Sequence, residues 1–348
     1  MQTGIRSPDN RVLLRNLIRT ASVVAFCLIC LLSSYRRAEA ALIDDTKKEG
    51  TLVFYGSMTT EHHGKLVAAF NQKYPFIKVE GFRANSLTVV NRVLTEQRSG
   101  RPLVDVMNVD ELSGWVLKDR GLLQSYVSNE ARAFPETFRD PEGFFTCCTY
   151  VVTNVIAYNR KLVRKEEAPK TFDDLLLPKW TDKLGMETDL AKLFAALVPL
   201  WGKQKTVDYF TALRKQKPSM RSGRTLLAQL MAAGEFSVGL GFYGYRMLEL
   251  QDAGMPLEIV QADPVVAWPF RLLLAKNARH PNAAKLFIDY VLSEEGQRFV
   301  ASLGRTVVRP GIKMKYPQLV EGVKLHPVRP DIGKDYEALS KTYYQIVN

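Results

Sequence analysis

The sequence predicts an α/β protein of two lobes, each a mostly parallel sheet flanked by helices, with a hinge between them. Three observations lead there. Short apolar strands alternate with amphipathic helices from Gly50 onward. The connections are modest, with no repeat or low-complexity segment. Finally, the length left after an N-terminal leader suits two cores better than one.

The leader comes first in the chain. Arg6, Arg11, Arg15 and Arg19 precede an apolar run from Ala21 to Leu32, and Ala38-Glu39-Ala40 follows. A basic start, a short greasy middle and an A-x-A end read as a secretory signal peptide cleaved after Ala40. The run is short for a membrane span, which needs about 20 apolar residues. Removing 40 of 348 residues leaves 308, and a soluble exported protein is expected. The leader holds six arginines against Asp9 and Glu39, so +4 of the formal +12 leaves with it and about +8 remains. That charge is scattered, without the clustered patch or stacking motif that nucleic acid would require. Cys27 and Cys30 leave with the leader. The remaining pair, Cys147-Cys148, is neither a disulfide framework nor a zinc site. Two small buried residues beside a strand are expected there, a ring disulfide or a redox role being the alternative.

The elements follow in order. Thr51–Tyr55 is a strand, 61–73 a helix burying Leu66, Val67 and Phe70, and Ile77–Phe82 a second strand. A helix over 87–99 and a strand over Val104–Val109 complete β-α-β-α-β, which calls for a parallel sheet covered by helices. The middle of the chain is a second unit. It has strands at Val151–Tyr158, Lys183–Met186 and Phe236–Leu240, a Thr171-capped helix, and helices over 190–200 and 225–233. Val265–Ala275 is a further strand. Helices over 283–292 and, capped by Ser293, through Leu303 come after it.

The order of motifs resembles the bilobal extracellular solute-binding proteins of ABC importers, in the ferric-ion-binding branch of the type II periplasmic binding fold. The stretches that carry the likeness are Leu52-Val-Phe-Tyr-Gly-Ser57, Pro102-Leu-Val-Asp-Val-Met-Asn-Val-Asp110, Gly121-Leu-Leu-Gln-Ser-Tyr126 and Ala157-Tyr-Asn159. They continue with Ala168-Pro-Lys-Thr-Phe-Asp-Asp-Leu175, Pro178-Lys-Trp180, Gly234-Glu-Phe-Ser-Val238 and the run from His280 to Gln297. The resemblance implies a chain that crosses between lobes more than once. Lobe one would combine 41–126 with 262–305, and lobe two 127–261 with 306–348. It also implies a periplasmic monomer that delivers a small ligand to an inner-membrane permease.

In open α/β sheets ligands sit beyond the carboxyl ends of the strands, near helix N-termini. The candidates on lobe one are therefore Ser57, Met58, Thr59, Asn85, Ser86 and Asp110. Those on lobe two are Thr188, Asp189, Arg221, Ser222, Tyr243, Tyr245 and Arg246, with Glu187 and Arg224 in the same loops. For each of these residues, the alternative is an N-cap or a solvated loop residue. Position by position, the resemblance makes Tyr243 one of a pair of metal-binding tyrosines and Asp110 the lobe-one acid. The other tyrosine position is Phe242, which has no oxygen to offer. The histidine position falls near Met58 or Thr59, and His62 and His63, a turn further on, are expected to be solvated on a helix surface. The positions that hold a synergistic anion in some relatives are also changed, with Asp189 and Leu190 near one of them.

Two ligand classes stand open at this point. One is ferric iron with a synergistic anion, held by Tyr243 and Asp110. The other is an anionic organic solute or oxyanion held by Arg221, Arg224 or Arg246, whose planar forks can take an oxyanion bidentately. No cofactor is required for either. An enzyme is disfavoured, because the four histidines fall in no nucleophile–base pattern and no G-x-S-x-G, H-E-x-x-H or Walker motif occurs. A ligand sensor docking on a signalling receptor would use the same binding chemistry.

Overall fold

The computed structural model describes residues 42–347. The leader and its predicted cleavage site lie outside the described residues. Helix α1 (42–49) leads into β1 (Thr51–Gly56), α2 (Thr60–Lys73), β2 (Lys78–Arg83), α3 (Ser86–Arg98), β3 (Val106–Asp110), α4 (Glu111–Asp119) and β4 (Leu123–Gln124). The middle of the chain supplies β5 (Cys148–Asn159), β6 (Leu184–Glu187), α5 (Ala191–Trp201), α6 (Lys203–Lys215), β7 (Ser219–Arg221) and α7 (Arg224–Ala233). After these come β8 (Val238–Tyr243), α8 (Gly244–Asp252) and β9 (Leu257–Val260). The chain closes with β10 (Val265–Ala275), α9 (Pro281–Leu292), α10 (Glu294–Ser302), β11 (Leu325–Pro327) and α11 (Tyr336–Val347).

The strands run in the order β2-β1-β3-β10-β5-β8-β6-β7. β2, β1 and β3 are mutually parallel, as are β8, β6 and β7. Between these two parallel sets lie the long strands β5 and β10, paired antiparallel from Ala267 opposite Thr153 to Arg271 opposite Cys148. β10 also pairs with β3, and the second half of β5 pairs with β8. These two strands tie the halves together. Both are buried almost throughout because each is covered on both faces.

Each half contributes an aromatic group to one continuous core. Phe54, Phe70 and Phe287 pack with ring centroids 4.7 and 5.0 Å apart in the first. In the second, Phe194 and Phe210 lie 5.3 Å apart, and Tyr343 of α11 sits 5.7 Å from Phe210. The C-terminal helix is thus part of the second group. Residues 129–147 lean the other way. Arg309 bonds Glu130 and the Leu292 carbonyl at 2.8 and 2.7 Å, and Arg271 Nη1 donates to the carbonyls of Phe138 and Thr146 at 2.6 and 3.1 Å.

The expected Thr171-capped helix is a single 3-10 turn, Asp173–Leu176, whose N-cap position is Phe172, while Thr171 Oγ1 accepts from the Asp174 amide at 3.2 Å. Cys147 and Cys148 are free, buried thiols at the start of β5, and burial pushes the Cys147 thiol up to about 11. At that value it is neither a nucleophile nor a metal ligand at neutral pH.

Candidate functional site

The carboxyl ends of both parallel sets face one cleft. On the first half, polar side chains are spent on capping their own helices. Thr59 accepts from the His62 amide at 3.4 Å, Asn85 from Thr88 at 2.9 Å and Asp110 from Ser113 at 3.0 Å. Ser57 donates to the Asn108 carbonyl at 2.9 Å, and Ser86 Oγ accepts from the Asp110 amide at 3.2 Å. Met58 belongs to the core and is 1% exposed, so its side chain is withdrawn from the cleft.

The second half is the opposite case. Helices α5, α7 and α8 start at Leu190, Gly223 and Tyr243, with no side-chain cap and no acid in the first turn. At α8 the N-terminal partial positive charge is unanswered. The Glu187 carboxylate accepts from the Gly223 amide at 3.1 Å, and Thr188 turns its hydroxyl onto the same carboxylate at 3.2 Å. Asp189 is exposed and accepts from Tyr344 at 3.2 Å. Arg221 turns away to pair with Glu235, and Ser222 is exposed beside it.

The largest opening of the cleft is about 800 Å³, bordered by Thr59, Glu61 and His62 from one side and by residues 223–226, Tyr243, Tyr245, Arg246 and Glu249 from the other, with Arg305 between. The structure therefore brings Thr59, Tyr243, Tyr245 and Arg246 together here, and gathers Asn85, Ser86, Asp110 and Asp189 in a second opening of about 590 Å³. A recess of about 30 Å³ lined by Asp110, Lys192, Arg224 and Tyr243 lies where the two meet.

Tyr243 gets its place from a bulge. Phe242 pairs with Val155 and Leu240 with Ile156, which leaves Gly241 unpaired at φ +100°. That kink buries Phe242 and leaves Tyr243 at the cleft. In an extended strand, Tyr243 and Tyr245 would share one side. Tyr245 lies instead in the first turn of α8, and the two rings still stack, 6.3 Å apart at 16°. Arg224 lies over Tyr243 at 4.3 Å, its Nε donating to the Gly241 carbonyl at 3.0 Å. Arg305 lies between the rings of Tyr245 and Tyr150, at 4.9 and 5.0 Å, and Tyr150 stacks on Phe270. Arginine and tyrosine thus form one continuous pile through the cleft floor.

Arg305 is only 6% exposed. Its Nε donates to His62 Nδ1 at 3.0 Å, so a neutral His62 carries its proton on Nε2. Burial and the Arg305 charge both lower the His62 pKa, which keeps the ring neutral. Neither Nη of Arg305 donates to a partner among the described residues, although the residue borders the cavity. Arg246 is held by Glu249 at 2.8 Å. Burial raises the Tyr243 phenol, with Arg224 and Lys192 pulling against it, so the hydroxyl stays protonated. Asp110 Oδ2 meets Lys192 Nζ at 3.1 Å. Burial works to raise this carboxyl, but Lys192 and Ser113 overcome it and hold the pKa below the usual range.

Both histidines depart from the solvated helix surface expected of them. His62 lines the cavity because Arg305 reaches its ring from 243 positions away. His63 lies flat on Phe54, centroids 4.7 Å apart, in space left by Gly56 and Gly81. Sequence reasoning also passed over Arg305 and Lys192. Lys192 carried a signal: it is a lone cation in the first turn of an apolar helix, where the helix dipole disfavours it. Arg305 follows a helix end and carried none.

A family model described as bacterial extracellular solute-binding protein matches residues 104–328. The chain belongs to this family. It is 26% identical over 282 residues to an uncharacterized protein of Haemophilus influenzae, covering 77% of this chain and 80% of that one. Among solved structures it is similar to the periplasmic binding protein AfuA of Actinobacillus pleuropneumoniae, determined with exogenous fructose-6-phosphate bound. There the TM-score is 0.67 at 26% identity, with 86% of this chain and 97% of that chain covered. It is also similar to the Trichodesmium protein IdiA (FutA) in complex with iron and citrate, with a TM-score of 0.73 at 19% identity, covering 85% and 99%. The second likeness shows the shared fold, that of the two-lobed type II periplasmic binding proteins. Family members of this kind bind solutes.

Proposed function

We propose that this protein is the solute-binding component of an ABC importer that captures a small organic anion, a phosphate monoester above all, between its lobes. It passes the ligand to an inner-membrane permease after export as a periplasmic monomer. The observation that carries this reading is Arg305, a buried guanidinium clamped between two tyrosines with both Nη groups uncommitted beside a large cavity. Burying a cation is costly unless something answers its charge. An oxyanion would do so, taken by the planar fork in charge-assisted hydrogen bonds. The uncapped N-terminus of α8 and the Arg224 guanidinium favour the same sign of ligand. The similar protein whose structure has exogenous fructose-6-phosphate bound supports the choice of a phosphate ester.

Ferric iron fits these residues less well. Phe242 contributes no oxygen, and Tyr243 lies beneath the Arg224 cation. Among the described residues no group of three or more His, Cys, Asp or Glu is placed to hold a metal.

The lobes of this proposal meet along β5 and β10. Residues 41–126 and 262–305 form one, and 127–261 with 306–348 the other. The packing of 129–147 on α9 and β10 favours a first crossing nearer residue 150 than 127.

Calorimetry of the mature protein with fructose 6-phosphate and inorganic phosphate tests the reading. Saturable binding of either, absent for the neutral parent sugar, is expected. Failure of both, with ferric citrate producing a phenolate charge-transfer colour that Tyr243→Phe removes, would establish iron instead.

A further inference from the structure

The recess where the two openings meet is lined by three groups that could give oxygen to a cation, Asp110, Tyr243 and the side-chain amide of Asn154. A cation is already there. Lys192 Nζ lies 3.1 Å from Asp110 Oδ2, while Oδ1 is taken by the Ser113 amide, so neither carboxylate oxygen is free. Nothing in α5 itself accounts for the lysine. It is the second residue of a helix that is apolar at most of its other positions, has no side-chain cap and has no first-turn acid, an end where positive charge is unfavourable. The placement is stable because Asp110 answers it from the opposite half of the molecule. Lys192 also faces the Tyr243 phenol and, with Arg224, opposes the rise in its pKa that burial produces.

Resting on the anionic-solute reading, we infer that Lys192 is the residue that sets the sign of charge this cleft accepts. Its ammonium is a built-in cation that stands between Asp110 and Tyr243 and excludes metal ions from them. A trivalent ion approaching the recess would meet two fixed positive charges in a partly desolvated space, where repulsion is poorly screened. Removing Lys192 frees one carboxylate oxygen and lifts one of those charges, so the recess changes from a site that repels metal to one that can hold it with help from an exogenous anion. Lys192 is on this account a specificity-determining residue rather than a ligand of the solute.

The test uses the mature protein, Lys192→Met and Lys192→Gln, titrated with ferric citrate against a citrate-only control. Visible absorption reports a phenolate–iron bond and competition reports affinity. The wild type should stay colourless. Lys192→Met should gain the charge-transfer band and bind ferric citrate about tenfold tighter or more. Adding Asp110→Asn should abolish the gain. The inference is overturned if both single variants melt cooperatively yet bind ferric citrate no better than wild type, or if wild type binds it equally well. Should phosphate esters fail to bind wild type, the anionic-solute reading falls alone. The gain of ferric binding is read on a different ligand and a different variant, and would survive it.

Discussion

Replacing Arg305 with methionine isolates the guanidinium, because the unbranched methionine keeps much of the apolar stem between the two rings. Two effects follow, and they differ in size. For the empty protein, two cation–π contacts are lost, each worth about 0.5–2 kcal/mol. His62 Nδ1 also loses its donor. Against this, a charge 94% withdrawn from solvent no longer has to be buried. These opposing contributions leave a net change of about 1–2 kcal/mol, a few degrees in melting temperature. For the loaded protein, nothing compensates. A charge-assisted hydrogen bond is worth about 1.5–3 kcal/mol, so losing the fork should weaken a phosphate ester about 10- to 150-fold. Isothermal calorimetry with fructose 6-phosphate on both proteins gives the comparison. Arg305→Lys should fall between them, since it restores the charge without the planar geometry. An affinity within threefold of wild type for a folded Met variant would refute the assignment of Arg305 as the anion anchor.

Other outcomes are expected elsewhere. Glu111→Ala leaves Arg271 buried without its partner carboxylate and should cost about 3–5 kcal/mol in urea denaturation; a loss under 1 kcal/mol would contradict the pairing. Gly241→Ala puts a methyl group at φ +100°, where it would meet Leu190 Cδ2 at 2.6 Å. It should destabilise by about 1–3 kcal/mol and weaken ligand binding as Tyr243 shifts, both readable by thermal shift. His63 is kept neutral first by burial and then by Arg83, so its folded pKa is lowered. The stability it contributes is whole above about pH 6.5 and is lost as pH falls through the folded value. Melting temperature should therefore drop as pH falls below about 6.5, and His63→Phe should flatten that slope; an unchanged slope would exclude His63 as its source.

The alternation of strands and helices was legible because it is local. β10 spans Val265–Ala275 as its apolar run implies, and Ser293 caps α10 as its position suggests. The candidate loops were legible too, because strand ends in parallel sheets must open on one edge. What the loop residues do there was not. Thr59, Asn85 and Asp110 read equally well as ligands or caps, and only the hydrogen-bond geometry shows the capping. Arg221 looked like a binding arginine, yet its partner Glu235 is brought to it by the return of the chain. Arg305 could not be singled out at all, since its neighbours Tyr150, Tyr245 and His62 are distant in sequence and meet only in the folded molecule.

The C-terminal helix deserves weight in any experiment on this protein. Tyr343 Oη donates to the Thr188 carbonyl at 3.0 Å and lies 3.4 Å from the Leu190 amide, while Val347 O accepts from Arg214 at 3.0 Å. These last turns buttress the loop that carries Asp189 and the start of α5, which carries Lys192. A version trimmed of its final dozen residues would lose a supporting wall of the binding chamber, not a dispensable tail, and weak capture by such a version would say nothing about the ligand.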